Sequence, residues 1–179
     1  MGQISDLQDQ LNRLLDLAHH QVHFAEAKNG ALLTLNFALV MGMVAISGEE
    51  LAWQWRLYML SVGSALGLSG LVAMTSFLPR MTSIKDERRK ALGNVAFTGD
   101  IALMGSESLL RTLALKMGVS EEPTHYCSDL ADQTYVNARI AERKFRRFRL
   151  AAWMTLSGII APTIWVTYQM AAGVLPLWS

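Results

Sequence analysis

The chain has 179 residues, of which 51% are hydrophobic, and a net charge of only +1 at pH 7. Its single cysteine, Cys127, excludes a disulfide within the chain and a CxxC metal site. Three stretches lack Asp, Glu, Lys and Arg, and each is long enough to cross a bilayer, because a hydrocarbon core about 30 Å thick needs roughly 20 apolar residues of helix. We therefore expect a function exerted at a membrane, with the charge-free stretches at residues 29–48, 57–79 and 150–179.

Residues 1–28 are predicted to form a cytoplasmic amphipathic helix, because apolar residues recur there every three or four positions. Nothing interrupts the pattern before the first span, so we expect one helix from about residue 4 to residue 46. The acidic start differs from the short basic region of a cleaved signal peptide, so span 29–48 should remain in the mature protein. Three histidines in this segment lack an HExxH motif and a nearby cysteine, which favours a polar helix face over a metal site.

Residues 49–56 are predicted to be an external loop, and residues 57–79 the second span. A GxxxG motif within this span allows close approach of helix backbones. It could serve packing inside one three-helix protomer, or it could form an oligomer seam or a pore-lining face. Because three spans are too few to enclose a wide aqueous path, we expect a homo-oligomer. The seam residues would be Ser61, Gly63, Ser64 and Gly67.

Residues 80–148 are predicted to form a cytoplasmic helical module. Residues 85–118 should pack against extensions of the first and third spans, with a turn at 118–123 and a second long helix from residue 124 onward. That helix would continue into the third span at 149–172 and leave an external tail at 173–179. The expected fold class is thus an all-α integral membrane protein with three transmembrane helices and a small helical module.

Basic residues predict the orientation of the chain, because Lys and Arg collect on the cytoplasmic side. A basic run at residues 143–149 precedes the third span, and basic residues at 85–90 follow the second. The connector 49–56 carries two glutamates and one arginine. We therefore predict a cytoplasmic N-terminus and an external C-terminus.

Enzymatic chemistry is not expected. Ser106 and Ser108 lie outside any GxSxG motif, and the chain has no Walker A sequence. The three charge-free stretches also lack His, which disfavours an ion-coupled transporter. Among polar residues of the module, Arg139 and Lys144 could hold an anionic ligand such as a phosphate. Asp100 could either cap a helix that begins at Ile101 or accept hydrogen bonds from a ligand.

Four segments in a fixed order resemble the transmembrane effector of bacterial Pycsar antiphage systems. They are 25–31 (AEAKNGA) entering the first span, 77–80 (FLPR) closing the second, 94–101 (NVAFTGDI), and 130–144 (LADQTYVNARIAERK) leading into the third. The resemblance covers residues 10–170. It implies a partner pyrimidine cyclase that makes cyclic CMP or cyclic UMP during phage infection. It also implies an effector that senses this nucleotide and impairs the bacterial inner membrane, so that growth stops.

The resemblance places a nucleotide-binding set on this chain. Phe97 would stack on the base, and Arg139 or Lys144, with Lys28 at the membrane boundary, would contact the phosphate. Base-edge or ribose contacts would come from Asn94, Asp100 and Gln133. Glu26 stands where the family would lead us to expect Asp. The implied ligand is cyclic CMP or cyclic UMP, and we expect no metal, no other cofactor and no nucleic acid partner.

Two interpretations compete with a nucleotide-controlled effector. A membrane scaffold would bind another protein through its module without any nucleotide. A constitutive holin-like small channel would permeabilise membranes without nucleotide control.

Overall fold

The computed structural model describes residues 2–47, 53–78, 95 and 97–172. Every element assigned in these residues is an α-helix, so the predicted all-α class is confirmed. The five helices are α1 (Gly2–Ile46), α2 (Trp53–Met74), α3 (Thr98–Met104), α4 (Ser106–Met117) and α5 (His125–Ala171). Three of them, α1, α2 and α5, are long and apolar enough to cross a membrane.

The two long helices confirm the prediction that α1 and α5 each continue without a break into a candidate span. Helix α1 has 45 residues and α5 has 47. At about 1.5 Å per residue, each is roughly twice as long as a hydrocarbon core about 30 Å thick. Pro162 lies inside α5 without ending it. Prolines are tolerated in transmembrane helices because neighbouring groups satisfy the carbonyl that a proline leaves without its amide partner.

Glycines set the boundaries of the short helices α3 and α4. Gly105 has φ 84° between α3 and α4, a backbone conformation that favours glycine and separates the two helices. Gly118 has φ 66° and caps α4, where the amides of Gly118 and Val119 donate to the last carbonyls of the helix. The predicted turn after residue 118 is therefore present. Of the predicted segment 85–118, residues 85–94 and 96 lie outside the described residues.

The chain divides into two compact units. One, here called the polar unit, comprises Met1–Ala27 and Pro79–Arg146. Its core joins four helices, because buried residues of α1 meet those of α3, α4 and α5. They include Leu7 and Leu11 of α1, Ile101 of α3, Leu109 of α4 and Leu130 of α5. This apolar cluster fixes the positions of the helix faces that line the cavities described below.

The other unit, here called the membrane unit, comprises Lys28–Leu78 and Arg147–Ser179. Its buried apolar contacts centre on Leu32, Ala73 and Ala151. Large apolar side chains point outward around it, and Phe37, Leu60 and Trp153 are each about two-thirds exposed. Such exposure is expected where lipid, and not water, surrounds the helices.

Candidate functional site

A cavity of about 220 Å³ opens in the polar unit between one face of α5 and the helix α3. We call it the arginine cavity. Its α5 residues are spaced three or four apart, so they share one helix face. The lining residues are Ala102, Leu103, Tyr135, Arg139, Glu142, Arg143 and Arg146. Three guanidinium groups beside one carboxylate give this cavity a net positive charge.

Arg139 is held in place by Tyr135, one helical turn earlier on α5. The Arg139 Nη1 donates a hydrogen bond to the Tyr135 hydroxyl at 3.1 Å. The guanidinium carbon also lies 5.6 Å from the centroid of the same tyrosine ring, within cation–π range. Tyr135 is itself buried. The arginine is thus preorganised, and little of its rotamer freedom remains to be lost on meeting an anion.

A second cavity, of about 200 Å³, lies on the neighbouring face of α5. We call it the phenylalanine cavity. Its lining residues are Leu17, Gln21, Phe97, Thr98, Gly99, Ala141, Glu142 and Phe145. Phe145 is fixed by an edge-to-face contact with Phe24 of α1, with 6.2 Å between ring centroids. Phe97 is 61% exposed and stands at the start of α3, so a large aromatic face is open to a ligand.

Glu142 lines both cavities, which places their junction at this residue. Successive residues of a helix are rotated by about 100°. Ala141 and Phe145 therefore face one cavity while Arg139, Arg143 and Arg146 face the other. The arrangement offers a cationic compartment next to an aromatic one.

The structure places only part of the predicted nucleotide-binding set at these cavities. Phe97 and Arg139 line them. Asn94 lies outside the described residues. Gln133 is exposed and lines neither cavity, and its backbone carbonyl accepts a hydrogen bond from the side-chain amide of Asn137 at 2.9 Å. Lys28 lies in the membrane unit, where its Nζ is 5.6 Å from the centroid of the Phe148 ring.

The first alternative for Asp100, capping of a helix that begins at Ile101, is wrong. Helix α3 begins at Thr98, and its N-cap is Phe97, which makes no side-chain cap hydrogen bond. The amides of Asp100 and Ile101 both donate to the Phe97 carbonyl, at 3.0 and 3.1 Å. Asp100 therefore lies in the first turn of α3, where a carboxylate is favoured by the helix dipole.

Lys144 lies outside both cavities and forms an ion pair with Glu26 of α1. Only 14% of the Lys144 side chain is exposed, so this lysine connects two helices of the polar unit. Its hydrogen bond holds the pKa of Glu26 below the ordinary value of 4.5, although burial opposes that effect. The contribution of the pair to stability is therefore present above the ordinary pKa of Glu26. It is lost as the pH falls through the lowered value.

Several cavity residues were missed by sequence reasoning, namely Gln21, Tyr135, Glu142, Arg143, Phe145 and Arg146. A signal for most of them exists in the sequence, because positions 135, 139, 142, 143 and 146 share one helix face. The basic run at residues 143–149 was interpreted mainly as an orientation signal, and Lys144 was its one member named as a phosphate contact. Among the described residues, no group of three or more His, Cys, Asp or Glu side chains could hold a metal ion.

In the membrane unit, the predicted seam residues lie mainly on the outer face of α2. Ser61, Ser64 and Gly67 are exposed, and Gly63 is half-buried. The two serine hydroxyls donate to carbonyls of their own helix at 2.8 and 2.7 Å. Packing inside the protomer uses a different face of α2, with buried residues Val62, Leu66, Ser69, Gly70 and Ala73.

A buried polar cluster joins the three long apolar helices. The amide nitrogen of Asn36 donates to the Ser69 hydroxyl at 2.9 Å, and the Thr155 hydroxyl donates to the Asn36 carbonyl oxygen at 2.9 Å. The Ser69 hydroxyl lies 2.8 Å from Thr155 Oγ1 and donates to the carbonyl of Ala151 at 2.8 Å. Because polar groups left unsatisfied in lipid are costly, these bonds fix the rotation of the three helices about their axes.

Comparison with known proteins gives two matches that agree. Residues 10–171 match the family described as the Pycsar effector protein domain, PycTM. A curated protein from a Rhizobium species, named Pycsar effector protein RsPycTM, is 31% identical over 150 residues, which cover 80% of this chain and 83% of the relative. No solved structure matches the chain.

Proposed function

Because the chain belongs to the family of Pycsar effector proteins, transmembrane effectors of antiphage defence, we propose that it senses a cyclic pyrimidine mononucleotide. The ligand is cyclic CMP or cyclic UMP, supplied by a partner cyclase. The effector binds it through the polar unit and then impairs the bacterial inner membrane, and it catalyses no reaction itself. In the proposed topology the N-terminus is cytoplasmic and the C-terminus is external.

The observation that supports this proposal is the junction of the arginine and phenylalanine cavities. A cyclic mononucleotide has one flat base and one singly charged phosphate. Aromatic side chains stack on any base face, and arginines bind phosphate oxygens with a planar fork of donors. Phe97 and Phe145 therefore fit the base, while Arg139, Arg143 and Arg146 fit the phosphate.

The size of the cavities supports a ligand that occupies both. Each has about 200 Å³, whereas sites for small molecules usually measure about 300–1,000 Å³. One cavity alone would take only part of a nucleotide. The proposed pose divides the ligand, with the base in the phenylalanine cavity and the cyclic phosphate in the arginine cavity.

The proposed response is a change in the arrangement of α1 and α5. Helix α5 carries the three cavity arginines and also the third candidate span. To move a two-state equilibrium from 1:99 to 99:1, the nucleotide must favour the active state by about 5.5 kcal/mol. In that state the spans of several protomers associate and make the membrane permeable.

The experiment that tests the proposal is calorimetric titration of the detergent-purified protein with cyclic CMP, UMP, AMP and GMP at fixed salt. Selective binding of one pyrimidine nucleotide at micromolar or lower concentration is the expected result. If folded protein binds none of the four, the sensor function is refuted. A scaffold or a constitutive channel would then be the better interpretation.

Gly67→Leu should abolish nucleotide-dependent dye release from liposomes while leaving the affinity for nucleotide unchanged within about twofold. A Cβ atom added at Gly67 meets nothing within 4 Å inside the protomer, so the protomer itself tolerates the larger side chain. A seam between protomers would not tolerate it, because close helix contacts in membranes depend on small residues. Dye release from reconstituted protein is the measurement.

Gly42→Leu in α1 is the matched control. Gly42 is exposed, and its added Cβ also meets nothing within 4 Å, so the gain in helix propensity is the same. The control should release dye as the unaltered protein does. If Gly67→Leu does so as well, this face of α2 is not the seam.

A further inference from the structure

Glu142 has an unusual place in the candidate site, because its side chain borders both cavities. It brings a carboxylate into a wall that otherwise carries the guanidinium groups of Arg139, Arg143 and Arg146. A carboxylate repels a phosphate, so it does not contribute to phosphate binding directly. Its position at the junction makes the carboxylate available to a hydrogen-bond donor of the ligand.

The covalent structure of a cyclic mononucleotide identifies that donor. The ribose connects the base to the cyclic phosphate, so a ligand with its base in one cavity and its phosphate in the other has its ribose at the junction. The phosphate of a 3′,5′-cyclic nucleotide esterifies the 3′ and 5′ oxygens. The 2′-hydroxyl is then the one free hydroxyl of the sugar, and an ionised carboxylate can only accept a hydrogen bond.

We propose that Glu142 determines sugar specificity by accepting a hydrogen bond from the ribose 2′-hydroxyl of the bound nucleotide. This inference rests on the proposed function and deepens it. It assigns the preference for 3′,5′-cyclic ribonucleotides to one named residue. Two related classes of nucleotide should bind more weakly: 2′-deoxy-3′,5′-cyclic nucleotides lack the donor, and 2′,3′-cyclic nucleotides carry the phosphate on that oxygen.

Glu142 was not among the residues for which the sequence predicted a ribose contact. Gln133 lines neither cavity, and Asp100 lies in the first turn of α3 outside both lining sets. Glu142 is exposed on α5, so its replacement should leave the fold intact. The discrimination between ribose and deoxyribose can therefore be measured on folded variants.

The test compares the affinities of ribose and 2′-deoxyribose forms of 3′,5′-cyclic CMP and of 3′,5′-cyclic UMP by calorimetry. For the unaltered protein, the ribose form should bind at least about tenfold more tightly, as expected for one hydrogen bond to a charged group. In Glu142→Ala this ratio should fall to about one. Glu142→Gln, which keeps a neutral acceptor, should give an intermediate ratio.

Asp132→Ala is the matched control, since Asp132 is an exposed carboxylate on the same helix and lines neither of the two cavities. The Asp132→Ala variant should keep the full ratio between the affinities of the ribose and 2′-deoxyribose forms. Equal binding of both sugars by the unaltered protein would overturn the inference and leave the proposed function standing. An equal loss of both affinities in Glu142→Ala would also overturn it, because that pattern indicates a general electrostatic or structural effect. If the unaltered protein binds neither nucleotide, the proposed function itself fails, and the inference fails with it.

Discussion

Gly158→Ala should lower the melting temperature of the detergent-purified protein by about 3–10 °C, because α2 and α5 are tightly packed at this glycine. A Cβ atom added at Gly158 would overlap the Cβ of Ala65 and would lie 3.6 Å from its Cα. Carbon atoms in normal contact are separated by about 3.5–4.0 Å. The two helices must therefore separate, and overpacking of this kind usually costs about 1–3 kcal/mol.

Separation of the helices would also stretch the polar cluster of the membrane unit. Thr155 and Ala151 lie about one and two helical turns before Gly158 on α5, and both bond to Ser69 of α2 at 2.8 Å. In lipid, helix association depends on close packing and interhelical hydrogen bonds, because lipid tails are as apolar as the side chains themselves. A small displacement at Gly158 therefore weakens both contributions together.

The swap variant Ala65→Gly/Gly158→Ala provides an internal check. It moves the methyl group from one helix to the other, and its melting temperature should return to within about 2 °C of the original. Gly42→Ala is the control, since an added Cβ there meets nothing within 4 Å. If Gly158→Ala melts at the original temperature, α2 and α5 do not meet at this residue.

Arg139→Gln should weaken binding of the cyclic pyrimidine nucleotide by about 10–100-fold, which is the loss expected for a charge-assisted hydrogen bond to phosphate. The arginine is preorganised by the hydroxyl and the ring of Tyr135. Substitution by glutamine therefore removes both the positive charge and the fixed geometry of the donors. Dye release from liposomes should require a correspondingly higher nucleotide concentration. Calorimetry and the liposome assay on the same preparation measure the two effects.

Two further variants separate this effect from a general loss of positive charge. Arg111→Gln removes an exposed arginine of α4 that lines neither cavity, and it should bind nucleotide normally. Tyr135→Phe keeps the ring but removes the 3.1 Å hydrogen bond to Arg139, so it should weaken binding by only about two- to fivefold. Unchanged affinity in Arg139→Gln would show that the arginine cavity does not hold the phosphate.

The helical class, the three candidate spans and the continuity of α1 and α5 could all be predicted from the sequence, because these features are local. A charge-free stretch of about 20 residues indicates a span wherever it occurs. Apolar residues repeated every three or four positions indicate a helix without reference to the rest of the chain. The resemblance to the Pycsar family was also local, because it rests on short segments in a fixed order, and the family match confirms it.

Local reasoning failed first at the start of α3. Aspartate is a good helix-capping residue. Capping of a helix that begins at Ile101 was therefore one of the two roles predicted for Asp100. The backbone instead forms its first turn on the carbonyl of Phe97, and α3 packs through Ile101, Ala102 and Met104, which are buried. Burial of these side chains outweighed the preference of a single cap, which is worth only about 1 kcal/mol.

Contacts between distant segments of the chain could be found only in the tertiary structure. Lys144 forms an ion pair with Glu26, and Gly158 lies against Ala65. Asn36 forms hydrogen bonds with Ser69 and Thr155. Periodicity shows which residues share a helix face, but it does not show how far each helix is rotated or which neighbour that face meets. Those rotations are set by buried packing and hydrogen bonds between distant segments. For that reason the arginine and phenylalanine cavities, and Glu142 at their junction, become visible only in the folded protein.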